Sequence, residues 1–265
     1  MPDNKIAIFA GRGQLPQMLI DKFVEEKRPF SLFLLEGQAY DNDYSSYHPI
    51  TLSYGQVGQF IEILKEQQVK ELVFVGGVTK PNFSQLHVDK KGAALIAKIL
   101  ASKILGDDAV LKAVVKFFEK EGFTVMQVNK FLTDLVSKKG VLSKVHPKKS
   151  DLDNITIAMK AMKKMSAFDI GQSLVLAQRQ IIAVEGPEGT DNMIARCANL
   201  ELDYKKDAIL VKMKKMNQSK KADLPTIGVD TVKNCHASQI KGIAIKAGST
   251  LILQKEKVID LVDEL

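Results

Sequence analysis

The chain has 265 residues, of which 45% are apolar and 26% charged, a composition that excludes a disordered or fibrous protein. Its net charge of +7 is moderate, and no uninterrupted apolar run approaches the roughly 18 to 20 residues of a membrane span. Cys197 and Cys235 have neither metal nor redox spacing, and the opening "MPDNKIAIFAGRG" lacks the features of a secretory leader, so a cytoplasmic protein with two free thiols is expected.

In chain order, "KIAIFAG" reads as a buried strand and "LPQMLIDKFVEEK" as a helix. "FSLFLLEG" and the shorter "ITLSYG" read as strands, "QVGQFIEILKEQQ" as a helix, and "ELVFVGG" as the next strand. Two further helices, "AALIAKILASKIL" and "DAVLKAVVKFFEKEG", precede a strand "FTVMQV". Such alternation predicts βαβ units and a parallel sheet. Residues 135–150 are basic, hold Gly140 and Pro147 and lack periodicity, which reads as a linker. Beyond it come a helix "LDNITIAMKAMKKM", a hairpin of "SLVLAQ" and "QIIAVEG", a helix "DNMIARCANL" and a strand "AILVKMK". A helix "VDTVKNCHASQI", a strand "GIAIKA" and a last strand–helix pair complete the chain. The expected fold is therefore two α/β domains. Residues 1–134 are expected to form a Rossmann-like domain with a mainly parallel sheet, and residues 151–265 a smaller mixed-sheet α/β domain, with a cleft suited to phosphate.

The motifs carry competing readings. "IFAGRGQLP" sets Gly11 and Gly13 at a strand-to-helix turn, suited either to a phosphate at the helix start or to a tight turn alone. Pro16 stands where the dinucleotide fingerprint wants its third glycine, which disfavours a nicotinamide loop, although Glu36 is placed to hold a ribose. "FVGGVTKP" puts Gly76 and Gly77 at another strand end, with Lys80 as a nearby positive charge. Asp107 and Asp108 precede a helix and suit an N-cap, with one carboxylate to spare for a ligand. Asp169, Gly171 and Gln172 are adequately explained by a turn.

"VEGPEGTDNMIAR" crowds Glu185, Glu188 and Asp191 at three-residue steps, which costs free energy unless positive charge lies among them or a helix start favours them. "KKADLPTIGVDT" isolates Asp223 beside Lys220 and Lys221, as a turn residue, a metal ligand or a general base toward water. His48, His87, His146 and His236 have no zinc-peptidase spacing, and no serine-hydrolase elbow is present. The lysine runs "SKKGVLSKVHPKKSD" and "YKKDAILVKMKKMNQSKKAD" suit solvated faces, an anionic membrane surface or a phosphorylated ligand. A nucleic-acid partner is disfavoured for want of a groove-entering motif.

Taken in order, "AGRGQLP", "GGVTKP", "GDDAVLKAVVKFFEKEGF", "DIGQSLVL", "VEGPEGTDNMIAR", "LVKMKKMNQ" and "ADLPTIG" resemble the LpxI-type UDP-2,3-diacylglucosamine pyrophosphatases over almost the whole chain. The resemblance implies hydrolysis of UDP-2,3-diacylglucosamine to UMP and 2,3-diacylglucosamine 1-phosphate (lipid X), a step of lipid A biosynthesis. It implies a divalent cation, Mg2+ or Mn2+, a homodimer, and a catalytic second domain with the active-site cleft between the two domains, while the basic segments suit peripheral contact with the cytoplasmic face of the inner membrane. It places the family's essential aspartate on Asp223, its Glu-Gly-Thr-Asp motif on residues 188–191, and its glycine turn on residues 11–13.

The expected catalytic groups are accordingly Asp223, Asp191 and Glu188, with Asp223 and Asp191 toward the metal. Gly11, Arg12, Gly13, Gln14, Leu15, Gly77, Lys80, Gln172, Thr190, Lys212, Lys215, Gln218 and Thr226 are expected to hold substrate. The chain departs from the family in Lys215-Met216, Gln218-Ser219 and Lys221, where relatives carry Lys-Pro, Gln-Asp and Arg, and in Arg12. Lysine holds phosphate as a point charge rather than a planar fork, and Ser219 removes one carboxylate. Two alternatives to the hydrolase are a non-catalytic glycolipid-phosphate binding protein and a nicotinamide-dependent oxidoreductase.

Overall fold

The computed structural model describes residues 5–38, 40–79, 86–103, 107–168, 170–201, 203–215, 221 and 224–265, without the side chains of residues 102, 103, 107, 108 and 167. Two compact units are present, Met1–Leu132 with Ser219–Asp223, and Thr133–Gln218 with Leu224–Leu265.

In the first unit the strands are β1 (Ile6–Ala10), β2 (Phe30–Leu35), β3 (Ile50–Leu52), β4 (Glu71–Val75) and β5 (Thr124–Met126). They form one sheet of order β3-β2-β1-β4-β5 with every pairing parallel. The near-continuous apolar runs follow from this, because a parallel sheet is covered on both faces. Ile6, Ala7 and Ile8 in β1 have no exposed surface. The helices are α1 (Leu15–Glu25), α2 (Val57–Glu66), α3 (Lys90–Lys103) and α4 (Asp107–Lys120). On one face of the sheet Phe9 lies 5.0 to 5.8 Å, ring centre to ring centre, from Phe33, Phe60, Phe74 and Phe118. This cluster ties β1, β2 and β4 to α2 and α4.

The second unit contains α5 (Lys149–Met165), β6 (Ser173–Ala177), β7 (Gln180–Val184), α6 (Gly189–Ala198), β8 (Ile209–Lys212), β9 (Thr226–Ile227), α7 (Val229–Ala237), β10 (Gly242–Ile245), β11 (Leu251–Ile252) and α8 (Lys255–Glu264). Its sheet runs β10-β8-β6-β7, with β10 parallel to β8 and β6 antiparallel to both β7 and β8. Strand alternation divides β6 between two cores. Leu174 and Leu176 meet Ala158 and Met162 of α5, whereas Val175 and Ala177 meet Met193, Ile194 and Cys197 of α6 and Cys235 of α7. The mainly parallel first sheet and the mixed second one are those read from the sequence. A short parallel pair, β9 with β11, was not expected; Thr226 begins it.

Within the stretch read as a linker, Ser137 is buried and donates its N–H to the Thr250 carbonyl at 2.9 Å, and residues 138–148 form neither helix nor strand. Among the described residues no helix is long and apolar enough to cross a membrane.

Candidate active site

In the first unit the two glycine turns bind each other. The Gly11 N–H donates to the Val75 carbonyl at 2.7 Å, Arg12 N–H to Gly77 O at 2.7 Å, and Gly77 N–H to Arg12 O at 3.0 Å. A Cβ on Gly11 would overlap the Gly77 carbonyl oxygen, so the absence of a side chain is what allows the two turns to join. Pro16 is buried in the first turn of α1 beside Gly76, in the place of the fingerprint's third glycine. Gly13 has a φ of +96° and open space around it, and its N–H donates to the Asp41 carboxylate. The amides of residues 11, 12 and 13 are thus engaged within the protein. Arg12 and Gln14 are exposed at this edge and Leu15 is half-buried. Lys80 lies outside the described residues.

In the second unit the antiparallel register sets the amino end of β6 beside the carboxyl ends of β7 and β8, with Ser173 opposite Lys212 and Leu174 opposite Val184. Gln172, Ser173, Glu185 and Lys212 therefore meet at one sheet edge, and α6 adds Thr190. The Lys212 ammonium donates to Thr190 Oγ1 at 2.9 Å, and that hydroxyl donates to Glu185 Oε2 at 3.1 Å. The same Oε2 accepts the Gln172 N–H at 3.1 Å, and Ser173 Oγ lies 3.2 Å from Thr190 Oγ1. Gly171 N–H donates to the Glu185 carbonyl at 3.0 Å, and a Cβ at residue 171 would strike the Glu185 side chain at 2.5 Å. This network holds an ammonium at a fixed point on the sheet edge, a geometry that receives an anionic oxygen.

The three acids of the turn have separate partners. Glu185 serves the network just described. Glu188 accepts from Arg196 at 3.3 Å; its own backbone N–H, then that of Gly186 and the guanidinium, hold its carboxyl below the usual carboxylate range against the opposing effect of burial. Asp191, exposed in the first turn of α6, accepts from Asn234 Nδ2 through Oδ1 at 3.3 Å. Its Oδ2 has no hydrogen-bond partner among the described residues. Burial first and the Asp191 charge second push the Cys235 thiol up to about 12; Cys197 is also raised by burial.

Among the described residues no three His, Cys, Asp or Glu side chains gather as a cation cluster. Magnesium retains waters and takes few protein carboxylates, and the exposed oxygen of Asp191 is a donor of the right kind. Of the other expected residues, Lys215 is described and half-buried, and Thr226 turns its hydroxyl to the Leu224 carbonyl at 3.1 Å. Lys221 pairs with Glu119 of α4 at 2.5 Å. Asp223 and Gln218 lie outside the described residues, as do Asp169 and the side chains of Asp107 and Asp108. Ser173, Arg196, Asn234 and Asp41 were not among the expected site residues, and neither was Glu185 as the centre of a network. Only Arg196 carried a local signal, as the cation closing the quoted acidic stretch.

Residues 5–135 match the family profile described as the LpxI N-terminal domain, and residues 138–265 the one described as the LpxI C-terminal domain. A relative from Caulobacter vibrioides, named UDP-2,3-diacylglucosamine pyrophosphatase LpxI, is 31% identical over 267 residues, covering 99% of this chain and 95% of that protein. With both halves matched in order, the chain belongs to the LpxI family.

Proposed function

We propose that this protein hydrolyses the diphosphate of UDP-2,3-diacylglucosamine to UMP and 2,3-diacylglucosamine 1-phosphate, in lipid A biosynthesis. The observation that carries the reading is the Lys212–Thr190–Glu185 network, an ammonium fixed where strand ends converge, in a chain of this family. A diphosphate is hydrolysed mainly by positioning and by positive charge on its non-bridging oxygens, because the bond-making itself needs little from the protein. Lys212 supplies one such charge, and Glu185 keeps the Thr190 lone pair turned toward it.

Asp191 and Asp223 would hold a divalent cation, magnesium or manganese, which when bound adds positive charge at the phosphate oxygens and makes coordinated water more acidic. The carboxylates orient water and accept its proton as oxygen adds to one phosphorus and the bridging P–O bond breaks, releasing two phosphate monoesters. Substrate lipid in the inner membrane, a peripheral location on its cytoplasmic face, and a homodimer belong to the same reading.

The test is release of UMP from UDP-2,3-diacylglucosamine with magnesium or manganese, measured by chromatography. Turnover is expected to be lost with chelator and in Asp223→Ala. Full turnover in that variant would remove Asp223 from the mechanism. Tight binding of the monophosphate product without UMP release under any divalent cation would replace hydrolysis by carriage of a glycolipid phosphate.

A further inference from the structure

The stretch from Lys138 to Lys149 reads KKGVLSKVHPKK, with five lysines, one histidine and no acid. It is held at three points. Upstream, Ser137 is fixed by Thr250 at 2.9 Å. Within the loop, the Lys144 N–H donates to Asp263 Oδ1 of α8 at 2.6 Å. Downstream, the Lys148 N–H donates to Asp151 Oδ2 at 2.9 Å as α5 begins. Between these anchors the aliphatic side chains face outward: Val145 is 79% exposed, Val141 44% and Leu142 36%. Lys138, Lys139, Lys144, Lys148 and Lys149 are exposed among them. The last turn of α8, which grips the loop through Asp263, adds exposed Val262 and Leu265.

Stability of the fold does not account for this composition. Val145, with about four-fifths of its surface exposed, gains little from burial, and Val141 and Leu142 gain only part of what a core position gives. Lys148 and Lys149 sit at the start of α5, where the helix dipole disfavours cations. An anionic bilayer suits both features at once, since its headgroups attract lysines and its acyl boundary takes short aliphatic side chains. Nucleic acid would use the lysines and leave the aliphatics without a role.

We propose that the Lys138–Lys149 loop is the surface by which this protein docks on an anionic phospholipid bilayer. A lipid substrate, as proposed above, gives the docking its purpose, but the docking is measured without substrate. Full-length protein is sedimented with vesicles of phosphatidylcholine containing about 30% phosphatidylglycerol, and with pure phosphatidylcholine, at about 50 mM and about 500 mM salt.

Binding is expected on the anionic vesicles at low salt, with little on neutral ones and loss at high salt. Lys138→Gln with Lys139→Gln and Lys149→Gln should weaken it about 100-fold. Val141→Ser with Leu142→Ser and Val145→Ser should weaken it about tenfold at unchanged charge. Both variants should hydrolyse a short-chain monodisperse substrate at the wild-type rate. Undiminished vesicle binding in both variants would overturn the proposal, as would no binding by the parent protein. A fall in oligomeric mass in the valine variant, by light scattering, would reassign the face to a second copy of the chain. Vesicle binding without any turnover would leave the docking standing and count against hydrolysis alone.

Discussion

Glu185 decides where the Lys212 charge sits without itself being a cation partner in the described geometry. Its Oε2 takes the Thr190 proton and the Gln172 N–H, which leaves the Thr190 lone pair for Lys212. A hydrogen bond of this kind contributes about 1 kcal/mol net, or roughly five- to tenfold in a rate that depends on the geometry it fixes. Thr190→Val should therefore lower kcat about tenfold or more with KM changed less, Glu185→Gln should follow in the same direction, and Thr190→Ser should restore the parent rate. Steady-state kinetics of the three variants check this. A Thr190→Val enzyme with unaltered kcat would confine the network to a structural part. The crowding of Glu185, Glu188 and Asp191 was legible in the sequence, but their partners were not. Arg196 stands eight residues from Glu188, whereas Asn234 reaches Asp191 from 43 residues away on another helix. The same holds for the glycine turns. Their strand-end positions were readable, but the bonding of Gly11 and Arg12 to Val75 and Gly77 joins segments that no local pattern relates.

Among the secondary-structure elements, strand cores and helix faces were read correctly because apolar periodicity reports burial directly. Helix ends were read two or three residues long, for a common physical reason. The expected α1, α2 and α7 ran to Lys27, Gln68 and Ile240, and the structure ends them at Glu25, Glu66 and Ala237. Each closes through a left-handed residue that is not glycine: Lys27 at φ 53°, Gln68 at φ 56° and Gln239 at φ 58°. The next residue bonds back to a carbonyl five positions earlier, Arg28 to Phe23, Val69 to Leu64 and Ile240 to Cys235, at 2.8 to 2.9 Å. Glycine at that position is the usual stop signal, and its absence hid the boundary. A left-handed non-glycine residue costs roughly 1 kcal/mol, part of which glycine's greater freedom in the unfolded chain offsets. Gln68→Gly should therefore stabilise the protein by about 0.5 kcal/mol, read as a higher denaturant midpoint at unchanged slope. A lowered midpoint would mean that the Gln68 side chain contributes contacts outweighing its backbone strain. The two-residue β9 was missed for a different reason, since two residues cannot display a period.

At the scale of the whole molecule, the distribution of charge matters more than its total. Five lysines and no acid fall in residues 138–149, against a net charge of +7 for the chain, and of the five Lys144 pairs with Asp263 of α8 at 3.8 Å. That loop is exposed, whereas Lys212 is half-buried and bound to Thr190. Salt discriminates between the two places. Raising ionic strength from about 0.05 M to about 0.5 M shortens the screening length from about 14 Å to about 4 Å, which weakens attraction between exposed lysines and a charged surface far more than contacts inside a partly buried site. Turnover of lipid substrate carried in anionic vesicles should thus fall at least tenfold over that range, while turnover of a short-chain soluble substrate falls much less. Steady-state rates on the two substrate forms across a salt series supply the comparison. Replacing Lys138, Lys139 and Lys149 by glutamine should flatten the vesicle curve onto the soluble one. Parallel curves for the parent protein would place the salt-sensitive charge at the diphosphate itself, leaving the loop no part in bringing enzyme and lipid together.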